Sequence, residues 1–248
     1  MSKVTENSIE DFAIHLLEGL GYSYLYAPTI APDSDNPKRN SYEDVLLTSR
    51  LENTVHQINP TVPPAAREKA LKEVKRIHSP ELLTNNEAFH RMLTEGIKVS
   101  YQKDGSQRGD LVWLIDFEHP ENNEFLVVNQ FTVIEDGVTK RPDVILFVNG
   151  IPLVVMELKN ATDENATVRS AFRQMETYKS TIPSLFTYNA FCVISDGHEA
   201  KAGSLSAGFS RFMAWRTSDV QSEASKLVPQ LETLIKGMLR KETLLDLI

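Results

Sequence analysis

Apolar residues recur at helical spacing in the first part of the chain, and from residue 97 they take up the spacing of strands. In "SIEDFAIHLLEGLGY", Ile9, Phe12, Ile14, Leu16, Leu17 and Leu20 follow a helical period. Ser8 is the expected N-cap with Asp11 three residues on, and Gly19 and Gly21 close the helix. "YSYLYA" predicts a short strand, and the prolines of "APTIAPDSDNPKRN" predict a loop. Three further helices are expected over "SYEDVLLTSRLENTVHQIN", "PPAAREKALKEVKRIH" and "LLTNNEAFHRMLTEG". The runs "IKVSYQ", "DLVWLIDF", "NEFLVVNQFTVI", "DVILFVNG" and "IPLVVMELK" are β-rich and split by Asp, Gly, Pro and Asn. A polar helix, "NATVRSAFRQMETYKS", precedes a last strand, "AFCVIS", and the tail from Ser218 reads as helical, interrupted by Pro229 and Gly237. Helix, meander, helix, strand predicts an α/β fold with a mixed sheet flanked by helices.

The 248 residues, 41% hydrophobic and 24% charged, are those of a globular chain long enough to bury a core without staples. The single cysteine, Cys192, has no internal partner and reads as a buried strand thiol, which suits a reducing cytosol. No apolar leader opens "MSKVTENSIED" and no apolar run reaches the length of a membrane span, so the expectation is a cytoplasmic protein with no membrane partner. A net charge of −8 argues against binding nucleic acid by bulk electrostatics. The last residues, "ETLLDLI", stop inside an apolar helical pattern, which reads as a chain that continues. Residues 1–217 are expected to form one domain, with 218–248 a helical linker to a further domain.

The candidate chemistry lies in "RPDVILFVNGIPLVVMELKN". Side chains alternate faces along a strand, so Glu157 and Lys159 share one side while Leu158 points to the other. Closing the hairpin at Asn149-Gly150 brings Asp143 to the same end of the sheet as Glu157. Two carboxylates placed together repel unless a divalent cation sits between them. Hard oxygen ligands select Mg²⁺ or Mn²⁺, and an ammonium beside the metal suits it to orient water. These are the parts of metal-assisted phosphodiester hydrolysis. The register sets a condition. A strict two-residue turn would place Asp143 opposite Met156, and cross-strand partners share a face. The carboxylates then could not meet, so an odd-length loop or a bulge near Asp143 is expected.

Pro142-Asp143 followed by Glu157-Leu158-Lys159 resembles the PD-(D/E)xK nuclease motif, and Gln174 and Tyr178 in "RQMETYK" look like the Q-x-x-x-Y motif of its RecB-type branch. That branch carries a Glu on its first helix, for which Glu10 is the match and Glu6 the weaker candidate. Together with "FCVISDGHEAKAGSLSAGFSRFMAWRT" and "LLDLI", these segments resemble the N-terminal region of the restriction (R) subunit of type I restriction–modification enzymes. The resemblance is weakest over residues 28–95. It implies a restriction-endonuclease-like fold, with the helical linker leading to an ATPase/translocase domain that this chain lacks. Asp143, Glu157 and the Leu158 carbonyl would be metal ligands and Lys159 the water-orienting lysine. Gln174 and Tyr178 would contact DNA or the shell of the metal site, and Glu10 would add an outer carboxylate. It also implies duplex DNA as substrate, assembly with methylation and specificity subunits, and ATP used by the full subunit. This chain has no G-x-x-x-x-G-K-[ST] loop to bind ATP itself. A free-standing RecB-like nuclease and a catalytically inactive assembly or DNA-binding module stand as alternatives.

Other features have plainer readings. Arg67, Lys69, Lys72, Lys75 and Arg76 are interleaved with Glu68 and Glu73, which suits a solvated face better than a phosphate-tracking helix. His15, His56, His78, His90, His119 and His198 lack the spacing of a zinc site. Trp113 and Trp215 read as core, and Asp196 as the start of an Asp-Gly turn.

Overall fold

The computed structural model describes residues 6–159, 167–218 and 229–248. In chain order its strands are β1 (Ser23–Tyr26), β2 (Ile97–Lys103), β3 (Ser106–Val112), β4 (Phe125–Asn129), β5 (Val133–Glu135), β6 (Val138–Lys140), β7 (Val144–Val148), β8 (Ile151–Leu158), β9 (Phe191–Ser195) and β10 (Ala200–Gly203). Its helices are α1 (Glu6–Gly19), α2 (Thr48–Ile58), α3 (Pro64–Lys75), α4 (Leu82–Glu95), α5 (Val168–Thr181), α6 (Pro183–Thr187), α7 (Gln230–Met238) and α8 (Lys241–Leu247).

The main sheet runs β1-β4-β7-β8-β9-β10. The pairs β1/β4 and β8/β9 are parallel and the rest antiparallel, so the sheet is mixed, as expected. Strands β4, β7, β8 and β9 are buried along their whole length, including Val127, Leu146, Val154 and Val193. Burial on both faces explains why these strands read as continuous apolar runs instead of alternating ones. Each such side chain contributes roughly 1.5–3 kcal/mol, so one charged residue in this layer needs a reason. Helix α1 packs on β4 and on α7, and α5 packs on β8 and β9. Leu231, Leu234, Ile235, Leu244 and Leu245, in the stretch assigned to a linker, join the same core as the sheet.

Several expected boundaries shift. Helix α1 begins at Glu6, upstream of Ser8, so Ser8 is not its N-cap. Its end is as expected: Gly21 takes φ +85°, Gly21 N–H donates to Glu18 O and Tyr22 N–H to Leu17 O, the bond pair of a Schellman motif. Residues 41–47 are not helical. Arg39, 4% exposed, donates to the carbonyls of Tyr42, Asp44 and Thr132, and the Asp44 carboxylate accepts the amides of Asn40 and Ser41, so this segment's polar groups are taken by a local side-chain network anchored at Thr132. "DLVWLIDF" stops being a strand at Val112, because the Asn59 side chain brackets Trp113 through its N–H and its carbonyl. The expected meander is divided: β2/β3 and β5/β6 are separate two-stranded ribbons. Gln130, at φ +58°, ends β4 and turns the chain into β5. Helix α5 starts at Val168 behind a Thr167 capping box; its expected first residues, 165 and 166, lie outside the described residues. Strand β10 was not expected from the sequence.

The hairpin β7/β8 resolves the register condition. Asn149 (φ +54°) and Gly150 (φ +81°) form a two-residue turn, and Val148 faces Ile151 and Phe147 faces Pro152. Beyond it Leu146 faces Val154, so Leu153 has no partner on β7. The bulge lies at Leu153, not near Asp143, but it has the required effect: Val144 faces Met156, and the register carried one residue further sets Asp143 opposite Glu157. The Leu153 carbonyl instead accepts the Ala190 N–H at 2.7 Å, where β9 begins. The turn is fixed from both sides. Asn149, fully buried, bonds Glu124, Leu114 and Asn123, while Gly150 O accepts the Leu47 N–H.

A Cβ on Gly150 would lie 2.6 Å from Leu47 O and 3.0 Å from Leu51 N, both backbone atoms. Gly150→Ala is therefore expected to destabilise the protein by on the order of 3 kcal/mol, combining left-handed strain with overpacking. Urea denaturation checks this, and a loss below about 1 kcal/mol would mean that the turn yields.

Candidate active site

Five of the six candidate side chains meet around the end of β8 and the start of β7, and a sixth stands beside them. Glu157, the last residue but one of β8, is 1% exposed. The Lys159 ammonium donates to Glu157 Oε1 at 2.5 Å. Lys159 is itself placed by its N–H on Ser195 O, an extension of the β8/β9 ladder. Asp143 Oδ2 accepts the Leu158 N–H at 2.6 Å. Leu158 thus holds Asp143 through its amide, a contact the motif did not foretell. On α5, Tyr178 is buried, its hydroxyl donates to the Arg141 carbonyl at 3.5 Å, and it lies close enough to Gln174 and Glu157 for both to act on its ionisation. The i, i+4 spacing of Gln174 and Tyr178 puts both on the helix face turned to the strand. Glu10, on α1 and 6% exposed, lies close enough for its charge to act on Asp143. Between the two first-helix candidates the structure brings Glu10 to the site; the Glu6 side chain is outside the described residues.

The electrostatics follow from burial. Desolvation first, and then the Glu157 carboxylate, push the Asp143 carboxyl up to about 8, against the Leu158 N–H, which favours its charged form. Burial and the same carboxylates raise the Tyr178 phenol, which stays protonated. Burial likewise pushes Cys192 up to about 12, as an inert strand thiol should be. The site therefore gathers negative charge under an apolar layer with one adjacent ammonium.

The other candidates lie elsewhere. Arg67 donates to the carbonyls of His56 and Asn59, and Lys75 pairs with Glu52 at 2.9 Å, so two of the five basic residues around α3 hold the helix in place. Asp196 makes the expected turn with Gly197 at φ +90°, accepting the amides of His198 and Glu199. It also accepts the Val168 N–H at the start of α5. Trp113 and Trp215 are half-buried. Among the described residues no helix is long and apolar enough to cross a membrane.

A mixed α/β chain with two convergent carboxylates and a lysine at the edge of its central strands has its family in known sequences. Residues 3–211 match the type I restriction enzyme R protein N terminus. The chain belongs to that family. It is 38% identical over 248 residues to the type I restriction enzyme HindI endonuclease subunit of Haemophilus influenzae, a match covering 99% of this chain and 24% of the relative. It is 34% identical over 257 residues to the MjaIXP endonuclease subunit of Methanocaldococcus jannaschii, covering 96% and 24%. A shorter match, 30% over 148 residues, joins it to the EcoprrI endonuclease subunit of Escherichia coli, covering 55% of this chain and 44% of that one. The chain spans about a quarter of the length of the first two relatives.

A carboxyl whose pKa is raised on folding binds its proton more tightly in the folded state. Its burial therefore costs no stability below the unfolded value of 3.8, and the cost grows as pH rises from there to about 8. Asp143→Asn keeps the acceptor for Leu158 and removes the charge. With divalent ions chelated, this variant is expected to melt several degrees above wild type at pH 8 and level with it near pH 4; about 1 kcal/mol moves such a midpoint by roughly 2–4 °C. A lower midpoint for the variant at pH 8 would contradict the electrostatic account.

Proposed function

We propose that the chain is the metal-dependent DNA endonuclease domain of a type I restriction enzyme R subunit, built on a PD-(D/E)xK site. In this reading it hydrolyses phosphodiester bonds of unmodified foreign duplex DNA after ATP-driven translocation by the full complex. The observation that carries the reading is the bulge at Leu153, which turns Asp143 and Glu157 to one face beside Lys159 in a chain of the R-protein family. A structural role for these three would not call for two carboxylates to be pressed together out of water.

The donors suit a hard divalent cation. Paired carboxylates, one kept protonated first by burial and then by its neighbour, are relieved by a hard divalent cation such as Mg²⁺ or Mn²⁺. Asp143 and Glu157 would hold the ion, with the Leu158 carbonyl as a third protein ligand. The described residues contain no group of three or more His, Cys, Asp or Glu that could hold an ion by themselves. Mg²⁺ sites commonly rest on one or two carboxylates and fill the shell with water and substrate phosphate. When bound, the metal supplies Lewis-acid polarisation of the phosphoryl oxygen and a more acidic water.

The protein's own groups do the rest. Lys159, held by Glu157, orients the attacking water and offsets the charge that develops on the phosphate. Tyr178 and Gln174 fix the rotation of Glu157 and face the DNA strand. Glu10 adds an outer carboxylate. The net charge of −8 leaves DNA affinity to the rest of the subunit and to methylation and specificity subunits, which the reading takes as partners. ATP is bound outside this chain.

Glu157→Gln or Lys159→Ala, placed in the full-length subunit and assembled in its complex, is expected to slow plasmid cleavage at least about a hundredfold. ATP hydrolysis should persist, and the variant chain should melt near wild type. Cleavage by the Glu157→Gln complex at the wild-type rate would overturn the reading.

A further inference from the structure

One residue beside the site holds an unfavourable backbone conformation at the turn that leaves β4. Gln130 follows the last residue of β4 and takes φ +58°, a region that favours glycine and is uncommon for a long side chain. Its Nε2 donates to Glu10 Oε2 at 3.1 Å, and Asn129 Nδ2 approaches the same oxygen at 3.5 Å. Asn129 Oδ1 in turn accepts the Tyr24 hydroxyl at 3.0 Å. Asn129 faces Val144 across the β4/β7 ladder, so Gln130 stands at the level of Asp143, the next residue out.

We propose that Gln130, backed by Asn129, is a positioning residue that sets the Glu10 carboxylate for the cleavage reaction. The inference rests on the nuclease reading given above. A carboxylate that takes amide donors on one oxygen cannot rotate freely. Partners one step removed from a metal site commonly matter for this reason, and their loss typically weakens metal binding tenfold to a hundredfold. Strain retained in a side chain at such a place is what a functional constraint would leave. A glycine or asparagine would relax the backbone, and neither would carry an amide to Glu10 as Gln130 does: glycine has none and asparagine is one methylene short.

That difference supplies the test. Gln130→Gly and Gln130→Asn are expected to melt at or above the wild-type temperature. Both should need roughly tenfold or more Mn²⁺ to reach half of the metal-induced shift in melting temperature of the chain. In the full-length complex the Mg²⁺ requirement for cleavage should rise by a similar factor. On a Glu10→Ala background, Gln130→Gly should change neither quantity further, since it acts through Glu10. Glu157→Gln in the same assays separates the two claims: its wild-type behaviour would remove the nuclease reading itself. If Glu157→Gln is inactive while Gln130→Gly and Gln130→Asn keep wild-type Mn²⁺ and Mg²⁺ dependence, the positioning role is wrong. An additive effect on the Glu10→Ala background overturns it as well.

Discussion

Everything at the site depends on the register of the β7/β8 hairpin. Side chains on a strand alternate with a period of two, so one residue of slip turns every group on β8 to the other face. Without Leu153 unpaired, Asp143 would face Met156 and Glu157 would point away. With it, both carboxylates come to one face, while the apolar residues of β8 remain buried above and below. The slip is held at a distance by the Asn149-Gly150 turn. Its polar atoms are satisfied inside the protein, and its glycine is pressed against α2. A buried and fully bonded turn at one end of a hairpin thus determines the chemistry at the other.

The same geometry imposes a cost. Asp143 and Glu157 lie at the end of an apolar layer, and the compensation the fold supplies is local: the Leu158 amide and the Lys159 ammonium. Neither of these offsets the cost of charging Asp143 beside Glu157, and Glu10 adds to that cost. The protein therefore carries its least favourable electrostatics at the candidate site, and the surrounding rigid strands keep it so. A site placed on mobile loops would relax by moving its charges apart.

Much of this was legible from the chain. The continuous apolar runs of β4, β7, β8 and β9 are recognisable because both faces of those strands are covered. The order Asp143, Glu157, Lys159, Gln174, Tyr178 reads as one surface because strand and helix periods are regular. What escaped was set by side-chain hydrogen bonds to the backbone, which leave no periodicity in the sequence. Residues 41–47 have a helical pattern, yet Arg39 claims their carbonyls; "DLVWLIDF" has a strand pattern, yet Asn59 ends it at Trp113. The place of the bulge did leave a trace. Pro152 has no N–H to give to a central strand, and proline inside a sheet marks an edge or a bulge. Gln130 left none, since a positive φ at a long side chain is not written in the sequence around it.

The sheet also governs when the site comes into being. Strand β1 pairs with β4, and Tyr24 meets Asn129 at a separation of 105 residues. Lys159 is set by Ser195, at the end of β9. The parts therefore come from the first helix, the middle of the chain and a strand near residue 195, and none can settle before the last has arrived. Contacts so distant along the chain make folding slow, because long loops must close before any contact rewards them. A ribosome-bound chain lacking β9 would hold Glu157 and Lys159 without the anchor that orients them. The side chains of the candidate site come into line only as the sheet is completed, so synthesis itself delays their assembly.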